Sequence, residues 1–523
     1  MSEQMYDVVV VGGGAAGLSG AVALARSRRS VLVIDDGQPR NAPAGHVHNF
    51  LTRDGTPPAD LLAAGRAEVL SYGGAFLDGR AVSAVRSDRG FTVTLADGGT
   101  VAARRLLVTT GLVDELPDVP GLAERWGSDV LHCPYCHGWE HRDERVGVIG
   151  SIHQARLWRQ LTPHVFLLLN GDAAPDDETT EALAARAVAV VPDRISSLVV
   201  ESEKLSGVRL DGGAVVALDA LVVAPRFVAR SAVLAGLGLE PEELVVDGRV
   251  VGSRIPSGMG GATAVPGVWV AGNITDLMGT VISSAAAGTL AGAAINGDLV
   301  AEETDVAVFE YRHRIHTMFE QEGWEERYRA KPTIWSGNPN PQLVAEVADL
   351  APGRALDVGC GEGADAAWLA ARGWRVTGVD ISTVALDRAR AHVDSAGLAD
   401  RIELVHADLR VTPPEPGAYD LVSAQFMHLP PGPRRELYAQ LASAVAPGGT
   451  LLIVGHDPTD LHTSVHRAHF PDMMFTVDEV ASALDRSDWD VTVAESRPRA
   501  TKDPEGRDIT IHDAVVVARR RPA

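Results

Sequence analysis

Cysteine and lysine are scarce in this chain of 523 residues. There are three of each, Cys133, Cys136 and Cys360, and Lys204, Lys331 and Lys502. Three cysteines cannot build the disulfide framework of a secreted mini-protein, so a reducing, cytoplasmic setting is expected. Positive charge is also short: 47 Lys plus Arg stand against 69 Asp plus Glu, a formal net charge of -22. That balance argues against nucleic acid or an anionic membrane surface as partner. The near-exclusive use of Arg as the cation reflects composition rather than function. No uninterrupted apolar run reaches the length of a membrane span, and a strand begins within a few residues of the N-terminus, so no signal peptide is expected. What is present is ample core material, 46% apolar residues, for about three domains at roughly 150 residues each.

Residues 5–35 read as strand, glycine turn, helix and strand. The apolar run 8–11 enters Gly12-Gly13-Gly14-Ala15-Ala16-Gly17, residues 15–25 are helical, and the strand 30–34 ends at Asp35. Alternation over 91–95, followed by Asp97-Gly98-Gly99, predicts a hairpin. The strand 105–108 then runs into Thr109-Thr110-Gly111, and Pro117 and Pro120 mark an exit. A smaller βαβ unit opens at Val146-Gly147-Val148-Ile149-Gly150 and closes near Pro225. From about Phe227 the chain returns to the first unit, with a strand into Ala271-Gly272-Asn273 and a small-residue helix over 283–295. The simplest organisation is a discontinuous first domain, 1–117 with 228–303, carrying an inserted domain, 118–227. The charged stretch 302–329 reads as a connecting helix with a solvated face, inside a linker and lead-in spanning 304–342. Residues 343–523 form a third α/β unit, with strands at 354–358, 376–379, 402–406, 421–424 and 451–454.

Each glycine of the first fingerprint has a task. Gly12 permits the tight turn, Gly14 lets backbone approach a pyrophosphate, and Gly17 allows close helix–strand packing, while Asp35 stands at the spacing of a ribose-binding acid. Behind this fingerprint lies Cys133-Pro134-Tyr135-Cys136, close enough in sequence for a redox disulfide. Dithiol and dinucleotide fold together point to electron exchange between a flavin and a disulfide. A zinc site built from His132, Cys133, Cys136 and His137 is the competing reading. Adjacent His–Cys pairs close a tetrahedron poorly and no second ligand cluster is evident, so no metal is expected.

With these residues assembled, the chain to about residue 305 resembles the low-molecular-weight thioredoxin reductase family. The marks are the fingerprint, Thr110-Gly111, the CxxC, and Ala271-Gly272-Asn273 before the last helix. The resemblance implies a two-domain, Rossmann-like FAD/NAD(P)-binding flavoprotein and a homodimer. Gly272 and Asn273 would contact the FAD ribityl and phosphate, and the last helix would point its N-terminus at the flavin ring. Cys136 would face the flavin and carry the charge-transfer thiolate, and Cys133 would be the interchange thiol. The family usually has Asp where Asn273 stands, and an amide can still donate and accept there. It commonly has Asp after the second cysteine, where His137 stands here, with an unperturbed pKa suited to proton shuttling.

The expected NADPH fingerprint departs from the family. Ile152 stands in Gly150-Ser151-Ile152-His153-Gln154-Ala155 where a second glycine would admit a pyrophosphate. Leu169-Asn170-Gly171-Asp172 offers no cation for a 2′-phosphate, and Thr280-Val281 replace an Arg-Gln pair. With the CPYCHG context, these departures resemble the flavin-dependent dithiol oxidases of disulfide-bearing natural products, which use oxygen rather than NADPH. An altered NADPH or NADH site remains the alternative.

The third unit carries Asp357-Val358-Gly359-Cys360-Gly361-Glu362-Gly363 after a strand, Asp380 after the next, Asp408 after the third, and Pro447-Gly448-Gly449 before the fifth. This ordered set resembles the class I SAM-dependent methyltransferases, again Rossmann-like. It implies that Asp357, Gly359, Gly361 and Gly363 border the methionine part of SAM, that Asp380 holds the ribose, and that Asp408 and Leu409 hold the adenine. Cys360 reads as a small packed side chain, and His428 and His456 as candidate bases. The lead-in Trp324-Glu325-Glu326-Arg327-Tyr328 and Ile334-Trp335-Ser336-Gly337 resembles that of tellurite-resistance and thiol methyltransferases. The expected whole is a bifunctional enzyme acting on a small dithiol or disulfide, or on a thioredoxin-like protein, and on a small methyl acceptor, plausibly a thiol. The alternatives are an NADPH-dependent thioredoxin-disulfide reductase with an appended methyltransferase, and a non-catalytic redox sensor in which one domain has decayed.

Overall fold

The computed structural model describes residues 5–246, 248–427, 429–462, 473–503 and 505–522. It divides into two compact units, residues 1–304 and 305–523.

In the first unit a parallel core runs in the order Ala75–Asp78, Val31–Asp35, Met5–Val11, Thr100–Val108. The strand Thr100–Val108 forks. Its first half pairs antiparallel with Gly90–Leu95, the expected hairpin, and its second half pairs parallel with Val268–Val270. Val8, Val9 and Val10 are fully buried, because helices and strands cover both faces of a parallel sheet and leave no polar side for alternation.

The helix Val281–Met318 runs far beyond the expected 283–295. Its small residues have a physical cause. A Cβ at Gly292 would lie 2.7 Å from the Gly20 carbonyl, and one at Gly288 would collide with that of Ala16. The crossing with helix Ala15–Arg26 is therefore as close as backbones allow. Farther along, the charged stretch is not merely solvated: Arg29 meets Glu303 at 2.6 Å, and Arg104 meets Asp7 and Glu303 at 2.9 and 2.8 Å.

Between these elements lies an all-parallel five-stranded sheet, ordered Ala189–Val191, Val165–Leu168, Val146–Ile149, Ala220–Val222, Val130–Leu131. The chain passes in and out of this region through Leu112–Glu115 and Arg226–Ala229, which pair antiparallel.

The second unit is a seven-stranded sheet in the order Ile402–His406, Arg375–Asp380, Arg354–Val358, Tyr419–Gln425, Val445–His456, Asp508–Arg520, Trp489–Lys502. The first five strands are parallel, and the last two form an antiparallel edge. Strand order reverses beside Arg354–Val358, which places a crevice at the ends of strands one and four. Among the described residues no helix is long and apolar enough to cross a membrane.

Candidate active sites

One cavity of about 1030 Å³ gathers most of the expected residues of the first unit. Gly12, Gly14, Asp35, Thr110, Gly111, Cys133, Cys136, His137, Gly272 and Asn273 all line it, as do Thr280, Val281 and Ser284 at the start of the long helix. Gly12 adopts φ +106°, and a Cβ there would lie 2.7 Å from the Thr109 carbonyl oxygen. Gly17, behind the turn, abuts the Gly12 carbonyl, whereas a Cβ at Gly14 would meet nothing within 4 Å. Gly12 and Gly17 thus serve protein packing, and Gly14 keeps the turn open to the cavity. Asp35 Oδ1 accepts from the Gly13 N–H at 3.0 Å, while its other oxygen lies 3.8 Å from Arg66. Thr110 donates to the Arg230 carbonyl at 2.6 Å. Asn273 Nδ2 donates to the carbonyls of Asp276 and Gly279, each at 2.9 Å, and its Oδ1 accepts from Arg40 at 3.2 Å. Both amide protons are therefore used, and Oδ1 keeps a second lone pair.

Cys133 caps a single helical turn, Pro134–His137, that carries Cys136. The two sulfurs lie 2.7 Å apart. A hydrogen bond from the Cys136 thiol draws the Cys133 pKa down to about 7. Burial opposes this, and the N–H groups of Cys136 and Tyr135 and the charge of Arg40 assist. Cys136 is pushed up, first by that same hydrogen bond and then by burial. In the flavin-free dithiol the thiolate therefore sits on Cys133, the reverse of the distribution expected beside a flavin. Burial holds the His137 imidazole below its usual value, so it is neutral at pH 7. Its backbone N–H donates to the Cys133 carbonyl at 3.2 Å, and among the described contacts its ring makes no hydrogen bond to either sulfur. Among the described residues no group of three or more His, Cys, Asp or Glu is placed to hold a metal ion.

Arg40 was invisible in the sequence. It makes a bidentate pair with Asp114 at 2.6 and 2.8 Å, bonds Asn273, and lies 5.4 Å from the centre of the Phe227 ring. It thereby ties the Asn273 turn electrostatically to the dithiol. Gln154, buried on the cavity wall, keeps an unpartnered Oε1.

At the inserted sheet, Ser151 caps the helix Ile152–Trp158, its Oγ accepting from the Gln154 N–H at 3.3 Å. A Cβ at Gly150 would lie 2.8 Å from Asp172 Oδ2, so a carboxylate sits against the turn where a pyrophosphate would approach. The absence of cations from 169–172 is offset in space. Arg194 lies beside Gly171, and Arg249 pairs with Asp172 at 3.5 Å.

In the second unit Asp357 and Asp380 are buried, with the half-buried Asp365 close to Asp357 and His406 close to Asp380. Asp380 accepts from the N–H groups of Gly361 at 2.9 Å and Ser382 at 2.8 Å. Asp357 Oδ2 has no partner. Burial, with Asp365 and Asp380 adding repulsion, pushes Asp357 well above the carboxylate range, and burial raises Asp365 to about 6. Gly359, Gly361 and Gly363 all take positive φ. Asp408 is held by Arg410, at 2.7 Å from Nη2, and falls below its usual pKa for that reason; Leu409 packs on the core. Cys360 is buried, its sulfur 3.2 Å from where a Gly378 Cβ would stand, as a packed side chain requires. His456 lies 4.7 Å, ring to ring, from Phe426, which has φ +54° at the end of the fourth strand. His428 lies outside the described residues.

The lead-in is more than a connector. Gln321–Arg329 keeps a solvated face, with Glu322, Glu326, Arg327 and Arg329 exposed, but Tyr328 is only 2% exposed. The aromatics Trp324, Tyr328 and Trp335 of the thiol-methyltransferase-like lead-in were the signal for that burial.

A family model described as pyridine nucleotide-disulphide oxidoreductase matches residues 6–292, and one described as a methyltransferase domain matches residues 355–449. The thioredoxin reductase tcpT of Claviceps purpurea is 30% identical over 316 residues, covering 58% of this chain and 96% of its own length. A probable thioredoxin reductase of Arthroderma benhamiae is 37% identical over 157 residues, 29% of this chain, and the chain spans only 39% of that relative's length. Among solved structures, HlmI shares 43% identity at a TM-score of 0.55, covering 59% of this chain and 97% of HlmI. The oxidoreductase from Agrobacterium tumefaciens shares 33% at a TM-score of 0.53, covering 57% and 99%.

Proposed function

The chain belongs to the pyridine nucleotide-disulphide oxidoreductase family and carries a methyltransferase domain behind it, and from that premise we propose a bifunctional enzyme. Its first half is an FAD-dependent dithiol oxidase for a small molecule, and its second half is a SAM-dependent methyltransferase for a small acceptor, a thiol by chemical kinship. The observation that carries the first assignment is the shared cavity, in which the Cys133–Cys136 dithiol and the open glycine turn at Gly14 face the same space.

The residues present fit both cofactors. Gly14 leaves room for a pyrophosphate, Asp35 retains acceptor capacity for a ribose, and Gly272 and Asn273 border the flavin side. In the second unit the unpartnered Asp357 Oδ2 and the buried carboxylates around it suit the ammonium of SAM, and Asp380 suits its ribose. Asp408, held by Arg410 at 2.7 Å, would hold the adenine. FAD, when bound, supplies a two-electron acceptor for the dithiol, and SAM supplies an electrophilic methyl group.

The protein's own sulfurs perform the exchange. A substrate thiolate attacks Cys133 Sγ of the Cys133–Cys136 disulfide, forming a mixed disulfide and releasing the Cys136 sulfur. The second substrate thiolate then displaces Cys133, leaving the substrate as a disulfide and the enzyme as a dithiol. Cys133 leaves readily because helix-turn N–H groups and Arg40 stabilise its thiolate. His137, neutral at pH 7, can take up a released proton from within the cavity. The proposal extends to a cytoplasmic setting and to a homodimer through the oxidoreductase half, as the family resemblance implies.

A second reading, an NADPH-dependent reductase of a thioredoxin-like protein, is favoured by Arg194 and Arg249 near Gly171 and Asp172. The capped turn at Ser151 and the Asp172 carboxylate against Gly150 oppose it. Titration of the purified protein with dithionite, and separately with SAM, tests the bifunctional reading. One reducible FAD and one SAM site per chain are expected, and a chain that binds neither is a scaffold or sensor instead.

A further inference from the structure

The segment from Glu320 to Trp335 is fastened to the glycine turn of the second unit and its surroundings by a set of hydrogen bonds and ion pairs. Glu362, inside that turn, accepts from the N–H groups of Ile334 and Trp335 at 3.2 and 3.3 Å. Arg388 binds Glu362 at 2.8 Å and reaches the carbonyls of Tyr328 and Lys331 at 2.5 and 2.8 Å. Thr383 donates to Glu325 at 2.8 Å, and Arg410 pairs with Glu320 at 3.3 Å. These contacts bring two aromatic residues onto the turn itself. A Cβ at Gly361 would stand 3.0 Å from Tyr328 Oη and 3.2 Å from Trp335 Nε1.

Two features of this pair have no use within the protein. Tyr328 Oη accepts from Trp335 Nε1 at 3.1 Å, and its own hydroxyl proton finds no acceptor among the described residues although the side chain is buried. Trp335 is 45% exposed despite its anchorage; Arg327 lies 5.8 Å from its ring centre, and part of the apolar ring surface still faces solvent beside the turn. A buried hydroxyl proton without an acceptor is unfavourable, and a ligand that supplies an acceptor and covers the indole resolves both. The surrounding carboxylates, Asp357, Asp365, Asp380 and Glu362, suit a ligand ammonium but offer nothing to a ligand carboxylate. An amino-acid end has both groups.

We propose that Tyr328 and Trp335 belong to the methyl-donor site, Tyr328 donating its hydroxyl proton to the donor's amino-acid carboxylate and Trp335 covering that end of the molecule. This rests on the methyltransferase reading. It also implies that the segment must lift for the donor to exchange, because both residues hang on the Glu362–Arg388 latch.

The test uses the full chain and calorimetric binding of S-adenosylhomocysteine and of 5′-methylthioadenosine, which has the same nucleoside without the amino-acid end. Tyr328→Phe should weaken S-adenosylhomocysteine about tenfold and leave methylthioadenosine within about twofold, the loss of a hydrogen bond to a charged group. Equal effects on both ligands, or none on either, would overturn the role given to Tyr328. As a measure independent of any variant's folding, S-adenosylhomocysteine should slow tryptic cleavage of the wild-type chain at Arg327 and Arg329, both exposed. An unchanged cleavage rate under saturating ligand would overturn the covering segment. A wild-type chain that binds neither ligand would remove the methyltransferase reading itself, an outcome distinct from the other two.

Discussion

Replacing Cys136 with alanine removes the hydrogen bond that contributes most to the low pKa of Cys133. In the dithiol Cys133 ionises at about 7. Without its thiol partner it should move toward the free-cysteine value of about 8.5, held somewhat lower by the Tyr135 N–H and Arg40. For the full shift of ~1.5 units, the thiolate fraction at pH 7 falls from about one half to about 3%, roughly 16-fold. The more basic thiolate is intrinsically the better nucleophile, by about fivefold for a Brønsted slope near 0.45. Iodoacetamide should therefore alkylate Cys133 in Cys136→Ala only about threefold more slowly than the reduced wild type at pH 7, but about fivefold faster at pH 10, with the two pH profiles crossing between. The assay is alkylation of the anaerobically reduced chain, with the site read by peptide mass and Cys360 as the buried internal reference. A wild-type midpoint near 8.5, or parallel profiles that never cross, would refute the electrostatics assigned to this helical turn.

Gly17→Ala drives a methyl group into the Gly12 carbonyl; the purified protein should lose most of its flavin absorbance, and full FAD occupancy in that variant would show the turn to be looser than described. Asp380→Ala should weaken SAM binding by at least tenfold in equilibrium dialysis while the flavin spectrum stays unchanged. Asp365 titrates at about 6 when folded and near 3.9 when unfolded, so the unfolded chain gives up its proton first and stability falls as pH rises between those values. Asp365→Asn lacks that decline, and its second unit should melt higher than wild type at pH 7.5, by ~3 kcal/mol of stability at most, with the two melting points converging at pH 4; an unchanged gap between pH 4 and 7.5 would exclude the buried charge as its cause.

The fold was legible where its signals are local. The run of valines at 8–11, the turn at Gly12 and the acid at Asp35 are contiguous in sequence, and steric rules fix their meaning without knowledge of the rest of the chain. The same holds for the glycine turn at Gly359 and the parallel strands of the second unit. Arg40 was not legible, because its role depends on Asp114 and Asn273, 74 and 233 residues away. Arg194 and Arg249 escaped for the same reason: the sequence window at 169–172 lacks cations, and only folding brings them near Asp172. The lead-in was legible only in part, through its aromatics. Its charges read as a solvated face, yet Glu325, Arg388 and Glu362 use charge to hold Tyr328 and Trp335 against the turn. The long helix was cut short in the reading because its small-residue half serves a close helix crossing and its charged half serves ion pairs to Arg104 and Arg29, two compositions within one element.

The central claim is that electrons leave the dithiol for oxygen rather than arrive from NADPH. Stopped-flow mixing of the oxidised, flavin-loaded chain under anaerobic conditions, once with NADPH and once with a small dithiol such as dithiothreitol, tests it most directly. The account predicts that the dithiol bleaches the flavin absorbance, that admitting oxygen restores it with consumption of one O2 per disulfide formed, and that NADPH at micromolar concentration leaves it essentially unbleached. Rapid bleaching by micromolar NADPH, with no oxygen consumption driven by dithiol, would contradict the account and identify the first half as a reductase.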